Sequence, residues 1–176
     1  MVSTDRLSTR NLTAMGMAAA MALVLGLIGK ALPLQLPQGG SITLETLPIF
    51  FIAFYGSPRL GCLTGLLVGL LQLLFGAFIL HPIQVILDYP LPFALLGLSA
   101  LFPRVPRLGI LIGSALRWLS HVVSGAIFFG SFAPEGTGVW VYSILYNSSY
   151  IVPETLLALL IVPFLLRRIS SHIRPQ

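Results

Sequence analysis

Charge is scarce in this chain, and cysteine scarcer: 9% of the 176 residues are charged, five are acidic, one is lysine and one is cysteine. With Cys62 alone, no disulfide within the chain and no cysteine-based metal cluster can form, which leaves a small packed thiol. Lys30 follows Gly29, but Val24 and Ala31 occupy the positions where a phosphate-cradling loop needs glycine and a hydroxyl. The chain also lacks GxSxG, HExxH and any pair of histidines at metal spacing. These absences predict a protein that is not an enzyme, hydrolyses no ATP itself, and holds neither a metal nor a resident cofactor.

What the chain has in quantity is apolar length. Hydrophobic residues make up 56% of it and the mean hydropathy is +0.95, too apolar to dissolve as one globular domain. The formal charge of +5 does not point to nucleic acid, because the basic residues form no stripe or cluster. They stand instead at the borders of apolar runs: Arg6 and Arg10, Arg59, Arg104 and Arg107, then Arg167, Arg168 and Arg174. Lys30 alone lies at a border of the opposite class. Under the positive-inside rule this alternation predicts an all-α, polytopic protein with six transmembrane helices and both termini cytoplasmic. Dividing the length by six leaves roughly 29 residues per span, enough for a helix of ~20 residues and a short connection. Residues 1–176 are therefore read as a single membrane-embedded domain.

The expected spans are 11–31, 44–56, 60–80, 83–102, 108–130 and 140–166. The second is short; it either extends backward through Ile42 or lies partly buried against its neighbours. The opening also has the outline of a secretory signal with a cut near Ala31, but further spans follow and cleavage would remove the first helix. Pro33 to Ser41 and Ser131 to Val139 read as outer loops, the first too rich in proline and glycine to be helical throughout. Gly16 and Ala20 in the first span, and Gly61, Gly65 and Gly69 in the third, put small residues four apart, a spacing that lets helix backbones approach closely in lipid. Internal packing explains both sets; for the first span, a docking face for another membrane protein is the alternative.

Ionisable residues inside spans cost roughly 2.5–3.5 kcal/mol at the bilayer centre and so need a reason. Asp88, Arg117, His121 and Glu154 are such residues, with Gln72, Gln84 and Asn147 as uncharged companions. Arg117, His121, Gly125 and Phe129 recur every four residues and share one helical stripe. On it His121 can bond a ligand or simply a neighbouring helix, Gly125 leaves room for a flat molecule, and Phe129 offers a ring. Arg117 either snorkels or pairs with a carboxylate. The last span opens with Trp140, Tyr142, Ser143, Tyr146, Asn147 and Tyr150, a mixture suited to a planar, partly charged molecule. An interfacial aromatic belt accounts for Trp140 and one or two tyrosines, not for Ser143 and Asn147 in the same turn. Asp88 can receive an amine or pair with Arg117 or His121, and Glu154 can pair or contact a ligand.

Four stretches, PQGGSITLETLPI (37–49), GLLQLLFGAFILHPIQVILDYPLPF (69–93), RWLSHVVSGAIFF (117–129) and YSILYNSSYIVPE (142–154), together resemble one family. It is that of the thiamine-specific substrate-binding (S) components of energy-coupling factor (ECF) transporters, the ThiT family. The resemblance runs from about Ala14 to Glu154. It implies a six-helix protein of the bacterial cell membrane that captures thiamine with high affinity from outside. Its partners would be a transmembrane coupling protein and two ATPase subunits. Ligand contacts carried over are Asp88, Tyr89, His121, Gly125, Phe129, Tyr142, Ser143 and Asn147; Gln38, Gly39 and Gly40 fall in the lid loop, and Gly16 with Ala20 on the docking face. Some members carry glutamate at the place of Asp88 and tryptophan at that of Phe129, and a tryptophan of the first outer loop has no match near Gln38 and Gly39. Two other functions fit the polar residues: a membrane enzyme with Asp88 and His121 as acid and base, or a stand-alone proton-coupled carrier relaying through Asp88 and Glu154.

Overall fold

In the computed structural model the described residues are 8–31 and 36–173, so Arg6, Arg174 and the beginning of the outer loop at Pro33 lie outside them. The chain builds seven helices among these residues: α1 (Thr9–Ala31), α2 (Thr46–Tyr55), α3 (Pro58–Gln72), α4 (Pro82–Asp88), α5 (Pro90–Leu96), α6 (Pro106–Phe128) and α7 (Val139–Ile173). α5 runs on as a 3-10 turn through Leu101, so α4 and α5 together make one apolar segment, Pro82–Leu101. The result is an all-α membrane protein of six helical segments. Four of them, α1, α4–α5, α6 and α7, are long and apolar enough to cross a bilayer.

Local sequence explains where the helices start. Proline opens α3, α4, α5 and α6, where its missing N–H is no loss and its fixed φ suits the first turn. Ser57 caps α3 by accepting the Leu60 N–H at 3.2 Å, and the His81 ring does the same for α4 from Ile83 at 3.1 Å. Two expected spans end differently. The third stops at Gln72, not at residue 80, and Gly76 at φ +80° turns the chain before α4. The fourth is not continuous, because Tyr89 leaves the helical region (φ −120°, ψ −80°) ahead of Pro90, whose ring disfavours helix in the residue before it. α7, by contrast, runs unbroken past Pro153 and Pro163, as membrane helices can when neighbours re-satisfy the freed backbone groups.

Ten residues make α2 only about 15 Å long, half of a typical hydrocarbon core. It is buried around nearly its whole circumference, from Thr46 to Phe50 and at Ile52 and Ala53, which is the signature of an interior helix. Leu47, Ile49 and Phe50 join Val68, Phe93, Leu96, Ile110, Ala158 and Val162 in the main core. Of the two readings of the second span, the structure takes burial against neighbours. The glycine repeat of α3 is likewise internal: a Cβ on Gly65 would lie 2.0 Å from the Phe93 carbonyl, and one on Gly69 2.3 Å from that of Tyr89. α1 divides its small residues, with Ala18, Ala19, Ala22, Gly26 and Gly29 packed inward while Gly16 and Ala20 lie on the exposed face among Met17, Met21 and Val24.

Candidate functional site

The helices alternate in direction, so α1, α3 and α6 finish at the end of the bundle where α2, α4 and α7 begin. A cavity of about 270 Å³ opens there, lined among others by Lys30, Gln72 and Phe129 from the finishing ends, by Glu45 and Tyr142 from the starting ends, and by Asp88 at the close of the short α4. It lies just below the ~300–1,000 Å³ range of small-molecule pockets. Arg10, Arg59, Arg104, Arg107, Arg167 and Arg168 all occupy the opposite end; an Arg10–Tyr55 hydrogen bond of 3.3 Å joins the start of α1 to the finish of α2 there.

At the floor, α6 presents Arg117 to two carboxylates. Its Nη1 donates to Glu154 Oε2 at 2.5 Å, its Nη2 stands 3.9 Å from Glu45 Oε1, and the guanidinium lies 5.0 Å above the Phe93 ring. Glu154 Oε1 also accepts from the Thr43 backbone N–H (2.8 Å) and hydroxyl (2.9 Å), and Glu45 Oε2 accepts from Gln72 at 2.8 Å. Arg117 is 4% exposed, so it pairs and does not snorkel. Both expectations for Glu154 and Arg117 resolve to pairing with each other. Glu45 is the residue that sequence reasoning missed. An acid at the start of an apolar run looks like an ordinary helix-start residue, and only the fold buries it, with its carboxylate packed into the space that Gly26 leaves on α1.

The wall carries a second ionisable pair. Asp88 Oδ1 lies 3.3 Å from His121 Nδ1, and Asp88 Oδ2 accepts from Gln84 at 2.6 Å. In the tautomer that donates from Nδ1 to this carboxylate, Nε2 is left as an acceptor. That Nε2 is buried and has no hydrogen-bond partner among the described residues. An unpaired buried polar atom costs roughly 1–3 kcal/mol, an expense that a ligand bond would remove.

All eight ligand contacts expected from the sequence, Asp88, Tyr89, His121, Gly125, Phe129, Tyr142, Ser143 and Asn147, line this one cavity. Their geometry revises the roles of three. Gly125 does not hold room open: a Cβ there would stand 2.2 Å from Ser143 Oγ, so the glycine lets α7 approach α6. Ser143 donates to the Val122 carbonyl at 2.7 Å, and Asn147 donates to the carbonyls of Ser143 (2.9 Å) and His121 (3.3 Å) while accepting from Tyr150 at 2.7 Å. Much of their hydrogen-bonding capacity thus stitches the two helices together.

Gln38, Gly39 and Gly40 also line the cavity, as a strap across its mouth. Gln38 (φ 61°) and Gly39 (φ 92°) adopt left-handed backbone, which folds residues 36–40 into a tight turn closed by Leu36 N–H to Gly40 O at 2.6 Å. Two tyrosines of α7 hold it. Tyr142 donates to Gln38 Oε1 (3.2 Å), and Tyr146 donates to the Pro37 carbonyl while accepting the Gly40 N–H at 3.0 Å. Phe78, Phe129 and Phe132 form a ring cluster at the rim, with centroids 5.7 to 6.2 Å apart. Gly16 and Ala20 take no part in the cavity.

Fold and cavity define an all-α membrane protein with a polar, ring-lined small-molecule pocket at one end of its bundle. Residues 12–173 match the family model described as thiamine transporter protein (Thia_YuaJ), and the chain belongs to that family. It is 40% identical over 160 residues to the thiamine transporter ThiT of Bacillus subtilis (strain 168), covering 81% of this chain and 83% of that one. With the thiamine transporter ThiT of Lacticaseibacillus paracasei it shares 34% identity over 122 residues, 60% of this chain and 61% of the relative. A solved structure of ThiT from Listeria monocytogenes superposes with a TM-score of 0.81 at 29% identity, covering 92% of this chain and 95% of the other. These relatives are named as transporters, not as enzymes.

Proposed function

We propose that this chain is the thiamine-capturing S component of an ECF-type importer in a bacterial cell membrane, residues 1–176 forming one substrate-binding unit. The observation that supports it best is the charge and ring content of the cavity. Glu45 and Asp88 line it beside Arg117 and Lys30, and Glu154, behind the lining, is the partner of Arg117, so carboxyl groups outnumber cationic side chains three to two around the cavity. That excess suits a thiazolium cation, and the tyrosine and phenylalanine rings suit its flat face. Asp88 and the free acceptor of His121 suit the amine of the pyrimidine ring, with Tyr89, Gly125, Phe129, Tyr142, Ser143 and Asn147 completing the enclosure. Gln38, Gly39 and Gly40 are the lid.

The arginines at the end opposite the cavity support a topology with both termini in the cytoplasm and the pocket at the outer face. The exposed Gly16–Ala20 face of α1 is the docking surface for a transmembrane coupling protein, itself joined to two ATPase subunits that drive release. Calorimetric titration of the purified protein with thiamine, riboflavin and biotin tests the reading. Tight binding of thiamine alone is expected, and micromolar or weaker thiamine binding rejects it. Liposomes holding this chain alone, given a pH gradient, should take up no thiamine; uptake would favour the stand-alone carrier.

A further inference from the structure

Gln84 is fully buried, lines the cavity, and makes three hydrogen bonds through one amide. Its nitrogen donates to Asp88 Oδ2 at 2.6 Å and to the Phe78 carbonyl at 3.0 Å, while its oxygen accepts the Leu80 N–H at 2.9 Å. The backbone of residues 78–80 therefore dictates which way the amide faces: turned over, it would set donor against donor at Leu80 and acceptor against acceptor at Phe78 and Asp88. Gln84 and Asp88 are four apart on α4, so the donor arrives at Asp88 from its own helix face. Tyr89 adds a second tie to the same segment, accepting the Phe78 N–H at 2.7 Å, and the Phe78 ring leans on Phe129 at the rim.

Asp88 thus has one oxygen taken by Gln84 and the other turned to His121. Removing the amide would leave the carboxylate free to rotate in a part-buried site, and would release the rim segment it is tied to. We propose that Gln84 is a positioning residue for ligand selectivity, orienting the Asp88 carboxylate toward the amine of the ligand's ring and locking that pose to the rim at residues 78–80. The proposal rests on the thiamine reading above.

The test is calorimetry on the purified full chain with two probes, thiamine and the analogue whose pyrimidine amine is replaced by a carbonyl. Wild type, Gln84→Met, Asp88→Asn and the double variant are compared. Gln84→Met keeps the shape and loses the bonds; its preference for the amine should fall at least tenfold, and adding it to Asp88→Asn should cost little more. Should Gln84→Met not fold, Gln84→Asn keeps an amide but draws it back by one methylene from Asp88, and the same collapse of preference is expected. An equal loss for both probes, or additive losses in the double variant, would show a packing role and overturn the assignment alone. Wild-type protein that binds neither probe would overturn the functional reading and this assignment with it.

Discussion

The floor and the wall of the cavity use the same kinds of side chain and leave them in different states. At the floor, Glu154 receives three hydrogen bonds and Glu45 is held by Gln72 and Arg117, with Arg117 Nε the one buried side-chain atom of the trio left without a hydrogen-bond partner among the described residues. Each of these bonds joins different parts of the chain: α6 to α7, α3 to the start of α2, and α7 to Thr43 beneath the strap. On the wall, Asp88 keeps a 15% exposed side chain and His121 keeps an unbonded nitrogen. Buried charges that satisfy one another hold helices in place, whereas charges with capacity to spare can meet a ligand. The comparison separates residues of equal rarity into scaffold and recognition.

Four substitutions can break or sharpen that division. Glu154→Ala leaves Arg117 without its closest partner in a dry site, and removing one member of a buried pair costs about 3–5 kcal/mol. Unfolding in detergent should show that loss whether or not thiamine is present. Asp88→Asn should leave the unfolding midpoint nearly unchanged but weaken thiamine binding by roughly 10- to 150-fold, the equivalent of one charged hydrogen bond of about 1.5–3 kcal/mol. A variant that loses stability and affinity together at this position would erase the distinction between wall and floor. Gly125→Ala forces a methyl against Ser143 Oγ, 2.2 Å away, and overpacking of this kind costs about 1–3 kcal/mol. Because the same contact shapes the cavity, calorimetry should record weaker binding alongside the lower unfolding midpoint. The smallest effect belongs to Tyr146→Phe, which removes the strap's bonds to Pro37 and Gly40 at about 0.5–1.5 kcal/mol. Thiamine should then leave a few times faster, measurable by stopped-flow fluorescence, with stability little altered.

The membrane class, the six segments and the cluster of polar residues in the later spans were legible because each is a local signal. Arginine at apolar borders marks where segments end residue by residue, and a histidine or asparagine inside an apolar run stands out without any knowledge of its neighbours. Continuity was less legible. Tyr89–Pro90 breaks the fourth segment while Pro153 and Pro163 leave α7 intact, and the chain offers proline in all three places. Which proline interrupts a helix depends on whether adjacent helices can receive the freed backbone groups. Glu45 was illegible for a related reason: nothing beside it in the chain announces that Arg117 and Gln72 will arrive from elsewhere.

Composition and spacing by themselves determined that this chain lives in lipid as a helical bundle, because apolar length and charge at its borders act on each segment alone. Only the tertiary structure decided which rare polar groups neutralise one another and which stay available around a single cavity. That outcome depends on distances between helices far apart in the chain, where a few ångströms separate a satisfied ion pair from a binding group.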